Sequence, residues 1–209
     1  PSVGAGDVLR DYIQSGHIPV ARLNRVHRQA DGSGIAWNAS QIKDGRAPAM
    51  SGDRWRDDFA FLSAADDMNI RTLLVETIEG LLHQGVAHAD IQVLCPQRNH
   101  DCGTEALNDL LRGLLNANRP SPSQLASGLC EGERLMQIKN NYDLEVFNGD
   151  MGTIKTLCDD GAIVMTMDDG REVKFPKQSL RELEFGYAIT VHKSQGGERP
   201  VILMPISSK

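Results

Sequence analysis

The sequence predicts an α/β protein, a parallel sheet interrupted by a small β-barrel insert, and three features of its 209 residues carry that prediction. Apolar, β-branched runs alternate with amphipathic helical stretches up to about residue 116, the pattern of strands crossing over through helices. From Glu133 to about Ser179 the texture changes to short apolar runs bounded by Gly, Asp or Asn, which suits a small barrel. Beyond that, FGYAITVHKSQGGERPVILMP returns to a strand, a polar turn or helix start, and a strand.

The elements follow in order. PSVGAG is turn-rich with no preceding element to turn from and is read as an internal cut. DVLRDYIQS predicts a short helix over 7–15, capped by Asp7 and stopped by Gly16, and IPVARLN reads as a buried strand leading into Arg25-Val26-His27-Arg28-Gln29. Residues 34–44 place Ile35, Ala36, Ala39 and Ile42 on one helical face ahead of Gly45. DFAFLSA reads as a strand. Residues 67–83 carry Ile70, Leu73, Leu74, Ile78, Leu81 and Leu82 at spacings of three and four, the stripe of a helix packed on a sheet. DIQVLCP predicts a buried strand, and Gly103-Thr104-Glu105 opens a helix with Leu107, Leu110, Leu111, Leu114 and Leu115 inward. NRPSPSQLASG is a surface linker by composition. RLMQIKN, GDMGTIKTL, GAIVMTM and REVKF are four barrel strands, with Asp168-Asp169-Gly170-Arg171 as a hairpin turn, and their closure is expected to remove exposed edges.

Charge and composition exclude several classes. Twenty-two Lys and Arg against twenty-eight Asp and Glu give a net charge of −6, so the chain does not coat nucleic acid by bulk electrostatics and any DNA contact must be local. Residues 133–200, with nine basic and twelve acidic side chains, are no general DNA clamp either. No run approaches the roughly 18 apolar residues of a membrane span, and no basic stretch followed by an apolar run opens the chain, which predicts a cytoplasmic protein without membrane contact. Cys95, Cys102, Cys130 and Cys158 form no CxxC pair or zinc-spaced cluster, so neither a metal site nor a structural disulfide is expected. Gly-Lys occurs nowhere, hence no GxxxxGK[ST] phosphate loop, and the chain by itself is expected to be inactive as an ATPase.

Four segments could carry chemistry. YAITVHKSQGGE ends a buried strand in Thr190, His192, Lys193, Ser194, Gln195, Gly196 and Glu198, where open α/β sheets bind ligands; a merely solvated polar loop is the alternative. Arg28 follows a predicted strand and could stabilise charge on a transferring phosphoryl group, or be an ordinary surface arginine. Cys95-Pro96-Gln97-Arg98 with Gly103 and Thr104 puts a helix N-terminus after a strand, whose free N–H groups with a Thr cap suit a backbone phosphate, ordinary capping being the other reading. Lys139, Asn140, Tyr142 and Phe147 set a cation and amide beside aromatic faces, a minimal kit for single-stranded nucleic acid, or else barrel core and turn residues.

In this order the segments resemble the RecD-like, TraA-like DNA helicases of superfamily 1 over essentially the whole chain. PSVGAG is similar to the tail of the third helicase motif and VHRQ to the fourth, which would carry the family's phosphate-sensing arginine onto Arg28, with Gln29 beside the nucleotide. QVLCPQR and GTEALN resemble a strand and helix that contact the DNA backbone through Arg98, Gly103 and Thr104. MQIKNNYDLEVFNGDMG resembles the signature of an insert that is a Src-homology-3-like barrel in relatives, and YAITVHKSQGGE the fifth motif. The resemblance implies a RecA-like, P-loop NTPase-type second motor domain. Its domains would be 1–17 as the tail of the first RecA-like domain, 18–132 and 183–209 as the second, and 133–182 as the barrel insert. It further implies ATP and Mg2+ held mainly by a first domain outside this sequence, Arg28 as the catalytic finger, and Gln29, Gln195, Gly196 and Glu198 toward nucleotide. Arg98, Gly103, Thr104, Lys139, Asn140, Tyr142, Phe147, Thr190, His192, Lys193 and Ser194 would face single-stranded DNA. The parent would be a helicase stepping 5′ to 3′ in recombination, repair or conjugation, with nuclease or helicase subunits as partners. A non-enzymatic single-strand-binding or subunit-interaction module is the competing reading.

Overall fold

The computed structural model describes residues 7–21, 33–49, 58–116 and 128–207. The chain divides into two compact units, Pro1–Ser63 and Ala64–Lys209.

In the first unit α1 (Val8–Ser15) runs between Asp7 and Gly16, as its pattern predicts. The strand expected from IPVARLN is not formed where it is described: Ile18 to Ala21 are irregular, and Ile18 and Val20 are exposed. Pro19 removes a ladder donor there. The rest of that segment, with Arg28 and Gln29, lies outside the described residues. Helix α2 (Gly34–Lys43) is present, but its predicted apolar face is not its buried one. Ile35 and Ile42 are exposed, whereas Gly34 and Asn38 are buried. Polar bonds hold this helix. Ser33 Oγ accepts from the Ala36 N–H at 3.3 Å, Asp58 accepts from the Gly34 N–H at 2.8 Å and from the Ser33 hydroxyl, and Asn38 Oδ1 accepts from the Ala49 N–H at 2.7 Å. The hydroxyl bond from Ser33 holds the Asp58 carboxyl below its ordinary value despite partial desolvation. DFAFLSA is irregular, with Phe61 and Leu62 exposed, so the strand expected there is also absent.

The second unit follows its pattern closely. Helix α3 (Asp67–His83) is capped by Asp66, whose carboxylate accepts from the Asn69 N–H at 2.8 Å, and it buries Leu74 and Ile78 from the predicted stripe. Strand β1 (Ile91–Cys95) is buried along its whole length. Helix α4 (Thr104–Leu115) buries Leu107 and Leu111, with Leu110, Leu114 and Leu115 packed alongside. Strands β7 (Ala188–Thr190) and β8 (Val201–Leu203) flank β1 in a parallel three-stranded sheet of order β7-β1-β8, with Cys95 opposite Thr190 and Ile91 opposite Val201.

Between α4 and β7, strands β2 (Arg134–Gln137), β3 (Met151–Leu157), β4 (Ile163–Met167), β5 (Glu172–Phe175) and β6 (Leu183–Phe185) form an antiparallel sheet of order β5-β4-β3-β2-β6. The Asp168–Arg171 segment makes the expected β4–β5 hairpin. Register slips between Ile154 and Thr156, a bulge that sharpens the curl of β3 around Leu135, Ile154, Ile163, Met165 and Phe175. The ladder does not close: β5 and β6 remain its two ends, joined through the 3-10 turns of Lys177–Glu182, so edges persist where full closure was expected.

Period-two geometry explains how the two sheets share one core. Ile91, Val93 and Cys95 of β1 face α3 and α4, while Leu94 points the other way and packs with Ile189, Met136 and Met151. A strand covered by helices on one side and by the barrel on the other needs apolar residues at nearly every position, which is why IQVLC reads as continuous and not alternating. The exception, Gln92, is buried with its amide donating to the Gly186 and Tyr187 carbonyls at 3.1 Å.

Candidate functional site

The C-terminal ends of β1 and β7 open onto a cleft of about 390 Å³ between the parallel sheet and the barrel. Four of the sequence-predicted DNA-contact residues line it: Arg98, Thr104, Thr190 and Lys193. They come from three separate segments, brought together because β7 pairs with β1 and the chain after each strand turns over the same edge.

Two devices hold this edge. Asn108 of α4 donates from Nδ2 to the Ala188 carbonyl and accepts at Oδ1 from the Ala188 N–H, both at 2.9 Å. Its amide thus stands in for a neighbouring strand along β7 and fixes that strand on α4. The second device is Gly103. A Cβ at this position would lie 2.1 Å from the Asn99 carbonyl oxygen and 2.4 Å from that of Arg98, so only glycine lets the chain fold back under the start of α4. Gly103→Ala is expected to cost about 1–3 kcal/mol of stability by forcing backbone to move, measurable as a lower urea midpoint; an unchanged midpoint would show that the turn relaxes freely.

That fold-back corrects the expectation of free N–H groups at this helix start. The Thr104 N–H donates to the Gln97 carbonyl at 3.2 Å and the Glu105 N–H to the Arg98 carbonyl at 3.1 Å, and the cap residue is Gly103 rather than Thr104. The helix terminus offers its side chains and not those two amides. Cys95, at the end of β1, is fully buried, and burial together with neighbouring Cys102 pushes its thiol up to about 12. It is a packing group without thiolate chemistry.

The 191–197 segment is a run of turns. The Lys193 and Ser194 N–H groups donate to the Thr190 carbonyl at 2.9 and 3.2 Å, and Gly197 donates to Ser194 at 3.0 Å. Gly196 takes φ +88°, a left-handed conformation that side-chain-bearing residues resist. Ser194 spends its hydroxyl on the Val191 carbonyl at 2.8 Å. His192, Gln195, Gly196 and Glu198 are exposed. Lys193 turns into the cleft, where its Nζ lies 2.6 Å from Glu184 Oε2, and Arg98 Nη2 lies 3.4 Å from Glu184 Oε1. Burial pushes the Glu184 carboxyl up, but the bonds and charges of Lys193 and Arg98 outweigh it and leave the group below its ordinary value.

The remaining predicted contacts form a separate cluster at the tip of the barrel loop between β2 and β3. Lys139 and Asn140 are exposed, as are Tyr142 at 75% and Phe147 at 46%. These rings are therefore not barrel core. They meet edge to face with centroids 6.1 Å apart and planes at 77°, and the loop is fixed by Asn140 Oδ1 accepting from the Asn148 N–H and Asp150 accepting from the Phe147 N–H at 2.8 Å. A hydrogen-bonded loop presenting two exposed aromatic rings, with an exposed lysine in the same loop, can stack unpaired bases without sequence readout.

Sequence reasoning missed the residues that join these parts. Glu184 sits in a short strand with no motif around it. Asp168 receives Arg134 at 2.7 Å and also Arg199 of the β7–β8 connection, tying the site loop to the barrel. Arg112 donates to Glu133 at 2.6 Å and stacks over Phe185 at 3.7 Å. The pairs of Asp168 and Arg112 are separated by twenty or more residues and Glu184 lies 86 from Arg98, so no local pattern announces them.

A parallel sheet whose strand ends carry a polar, glycine-containing loop, interrupted by an SH3-like antiparallel barrel, defines the class: a RecA-like α/β fold with an SH3 insert. Its fold is similar to a crystal structure of Pif1 helicase from Bacteroides in complex with ADP-AlF3 and ssDNA, with a TM-score of 0.52 and 18% identity over 88% of this chain and 45% of that one. Residues 107–173 match the family described as the ATP-dependent RecD-like DNA helicase SH3 domain. The chain is 32% identical to the ATP-dependent RecD2 DNA helicase of Deinococcus radiodurans over 206 residues, 97% of this chain and 27% of that protein. It is 26% identical to the RecBCD enzyme subunit RecD of Mycolicibacterium smegmatis, covering 38% of that protein. Within its class the chain is RecD-like, and it spans well under half the length of either curated relative.

Proposed function

We propose that this chain is the DNA-tracking half of an ATP-dependent helicase motor, its second RecA-like domain and barrel holding one DNA strand while ATP is hydrolysed at the face it shares with a first domain. The observation that carries the proposal is the convergence of Arg98, Thr104, Thr190 and Lys193 on one cleft at the ends of parallel strands. In a chain of net charge −6, two cations gathered at a ligand-binding edge are a local phosphate site and not a by-product of composition. The similarity to the Deinococcus RecD2 helicase over nearly the whole chain supports the same reading.

Backbone phosphates would lie against Arg98 and Lys193 with the Thr104 and Thr190 hydroxyls beside them, and His192 and Ser194 would flank the same strand. Tyr142 and Phe147, with Lys139 and Asn140, would stack on bases farther along. Gln195, Gly196 and Glu198, all exposed, would touch a nucleotide held elsewhere, and Gln29 would join them. Arg28 would supply charge to the γ-phosphate. Among the described residues no group of three or more His, Cys, Asp or Glu could hold a metal ion, and magnesium would be held with ATP mainly by the first domain. No described helix is long and apolar enough to cross a membrane. Stepping would run 5′ to 3′, in recombination, repair or conjugation, and a helicase or nuclease subunit would be a fitting partner given the RecBCD subunit among the relatives.

The direct test is single-strand binding by the 209-residue chain. Replacing Tyr142 and Phe147 together with Ala is expected to weaken oligothymidylate binding by about tenfold or more, since stacking is worth roughly 1–3 kcal/mol per base. Lys193→Ala should instead lower the salt dependence. Affinity unmoved by all three changes would leave the chain without a DNA interface. Polarity is read on the protein that carries both motor domains, where duplexes with a 5′ tail should be unwound and those with a 3′ tail should not.

A further inference from the structure

The two cations of the cleft are not vacant. Glu184 reaches them from the barrel side and divides its carboxylate between them, Oε2 to Lys193 at 2.6 Å and Oε1 to Arg98 at 3.4 Å. The bridging of two cations by two oxygens of one anion is the arrangement a backbone phosphate would make. Its backbone is fixed in β6 opposite Met136 of β2, so the carboxylate is delivered by a strand and not by a wandering loop. The charge balance of the cleft points the same way. Its lining carries Arg98 and Lys193 against Glu105, Asp109 and Glu184, so with Glu184 in place it is net negative, and a phosphate gains little there until that carboxylate gives way.

We propose that Glu184 is a built-in stand-in for a DNA phosphate, so that strand binding at the cleft is an exchange in which a phosphodiester replaces the Glu184 carboxylate on Arg98 and Lys193. This rests on the reading of the cleft as a DNA-backbone site and adds what controls it. Affinity at the cleft is held down by the barrel, and a bound strand releases the link between β6 and the loop that follows β7. No bond is made or broken and no proton need move; the exchange is of ion pairs alone.

The test is fluorescence anisotropy of the 209-residue chain with a labelled oligothymidylate of about 15 nucleotides, titrated at several salt concentrations. Glu184→Gln keeps shape and removes the charge. It is expected to bind about threefold to tenfold tighter, the sum of two partly exposed ion pairs released, with a salt slope steeper by about 0.7 for each phosphate newly neutralised. In an Arg98→Ala/Lys193→Ala background the same change should give no gain. Thermal midpoints are recorded for every variant. If Glu184→Gln fails to fold, Glu184→Asp decides, since withdrawing the carboxylate by one methylene should give a smaller gain of the same sign. Binding equal to or weaker than that of the unaltered chain, while Arg98→Ala/Lys193→Ala still weakens it, would overturn the exchange and leave the DNA interface standing. Binding untouched by Arg98→Ala/Lys193→Ala would overturn the interface and the exchange with it.

Discussion

Arg28→Ala, made in the protein that carries both motor domains, is expected to reduce ATP turnover by about 10³-fold or more while leaving single-strand DNA binding nearly intact. The run Val26-His27-Arg28-Gln29 resembles the fourth helicase motif, in which an arginine senses phosphate. As a phosphoryl group leaves, charge spreads over its oxygens, and a planar guanidinium that never deprotonates meets two of those oxygens at once. Lysine offers the same charge as a point on a flexible stem, so Arg28→Lys should fail nearly as badly as Arg28→Ala. Separating the two readouts matters. Arg98 and Lys193 are proposed to hold DNA and Arg28 to face nucleotide, so loss of Arg28 should appear in kcat with little change in DNA affinity. Near-normal turnover in Arg28→Ala would return this residue to the ordinary population of solvated surface arginines.

How far the structure could be read from sequence depends on whether the deciding interactions are local. Helix α3, strand β1 and helix α4 were legible because their stripes recur at three and four, or run without interruption between turn residues, and each is a property of neighbours. The hairpin at Asp168–Arg171 was legible for the same reason. IPVARLN and DFAFLSA show the opposite case. Their apolar residues look like strands, yet Ile18, Val20, Phe61 and Leu62 are exposed, because an apolar run becomes a buried strand only where another element covers it. Helix α2 failed differently: its Ile35 and Ile42 face suggested a core contact, but the buried residue is Asn38, held by the Ala49 N–H.

The candidate site divides along the same line. The donors at the end of β7 and the aromatics of the barrel tip were visible as unusual residue clusters. What turns them into a site was not. Asn108 clamping Ala188 spans eighty residues, Glu184 joins two cations from either side in sequence, and Arg199 meets Asp168 across thirty-one. Such pairs follow from the packing of two sheets against each other, which composition and periodicity do not encode. They also hold the candidate edge in place in a chain with so few aromatic residues: its positions are set by polar clamps to buried backbone instead of by a large hydrophobic floor.

Removing Glu133 alone, as Glu133→Ala, is expected to cost about 3–5 kcal/mol, because it leaves a buried guanidinium with only the exposed Asp109 carboxylate, 4.0 Å away, as an anion. Glu133 is wholly buried and Arg112 is 6% exposed. Arg112 donates to Glu133 Oε1 at 2.6 Å and to the Gly128 carbonyl at 2.6 Å, and lies over the Phe185 ring, while Glu133 Oε2 accepts from the Cys130 N–H at 3.3 Å. One ion pair therefore joins α4, the start of β2 and the end of β6. The stretch matched as a RecD-like SH3 domain, 107–173, begins inside α4 and includes both partners, as expected if helix and barrel form one packing unit. The pair is not thereby a large net source of stability, since both charges had to leave water. Replacing both partners with apolar residues of similar volume, Arg112→Met with Glu133→Leu, should recover most of the loss, and a double-mutant cycle by urea denaturation measures the difference. Single variants that each lose less than about 1 kcal/mol would show that water reaches the pair on unfolding of the nearby surface, and that the barrel is held on α4 by its apolar contacts alone.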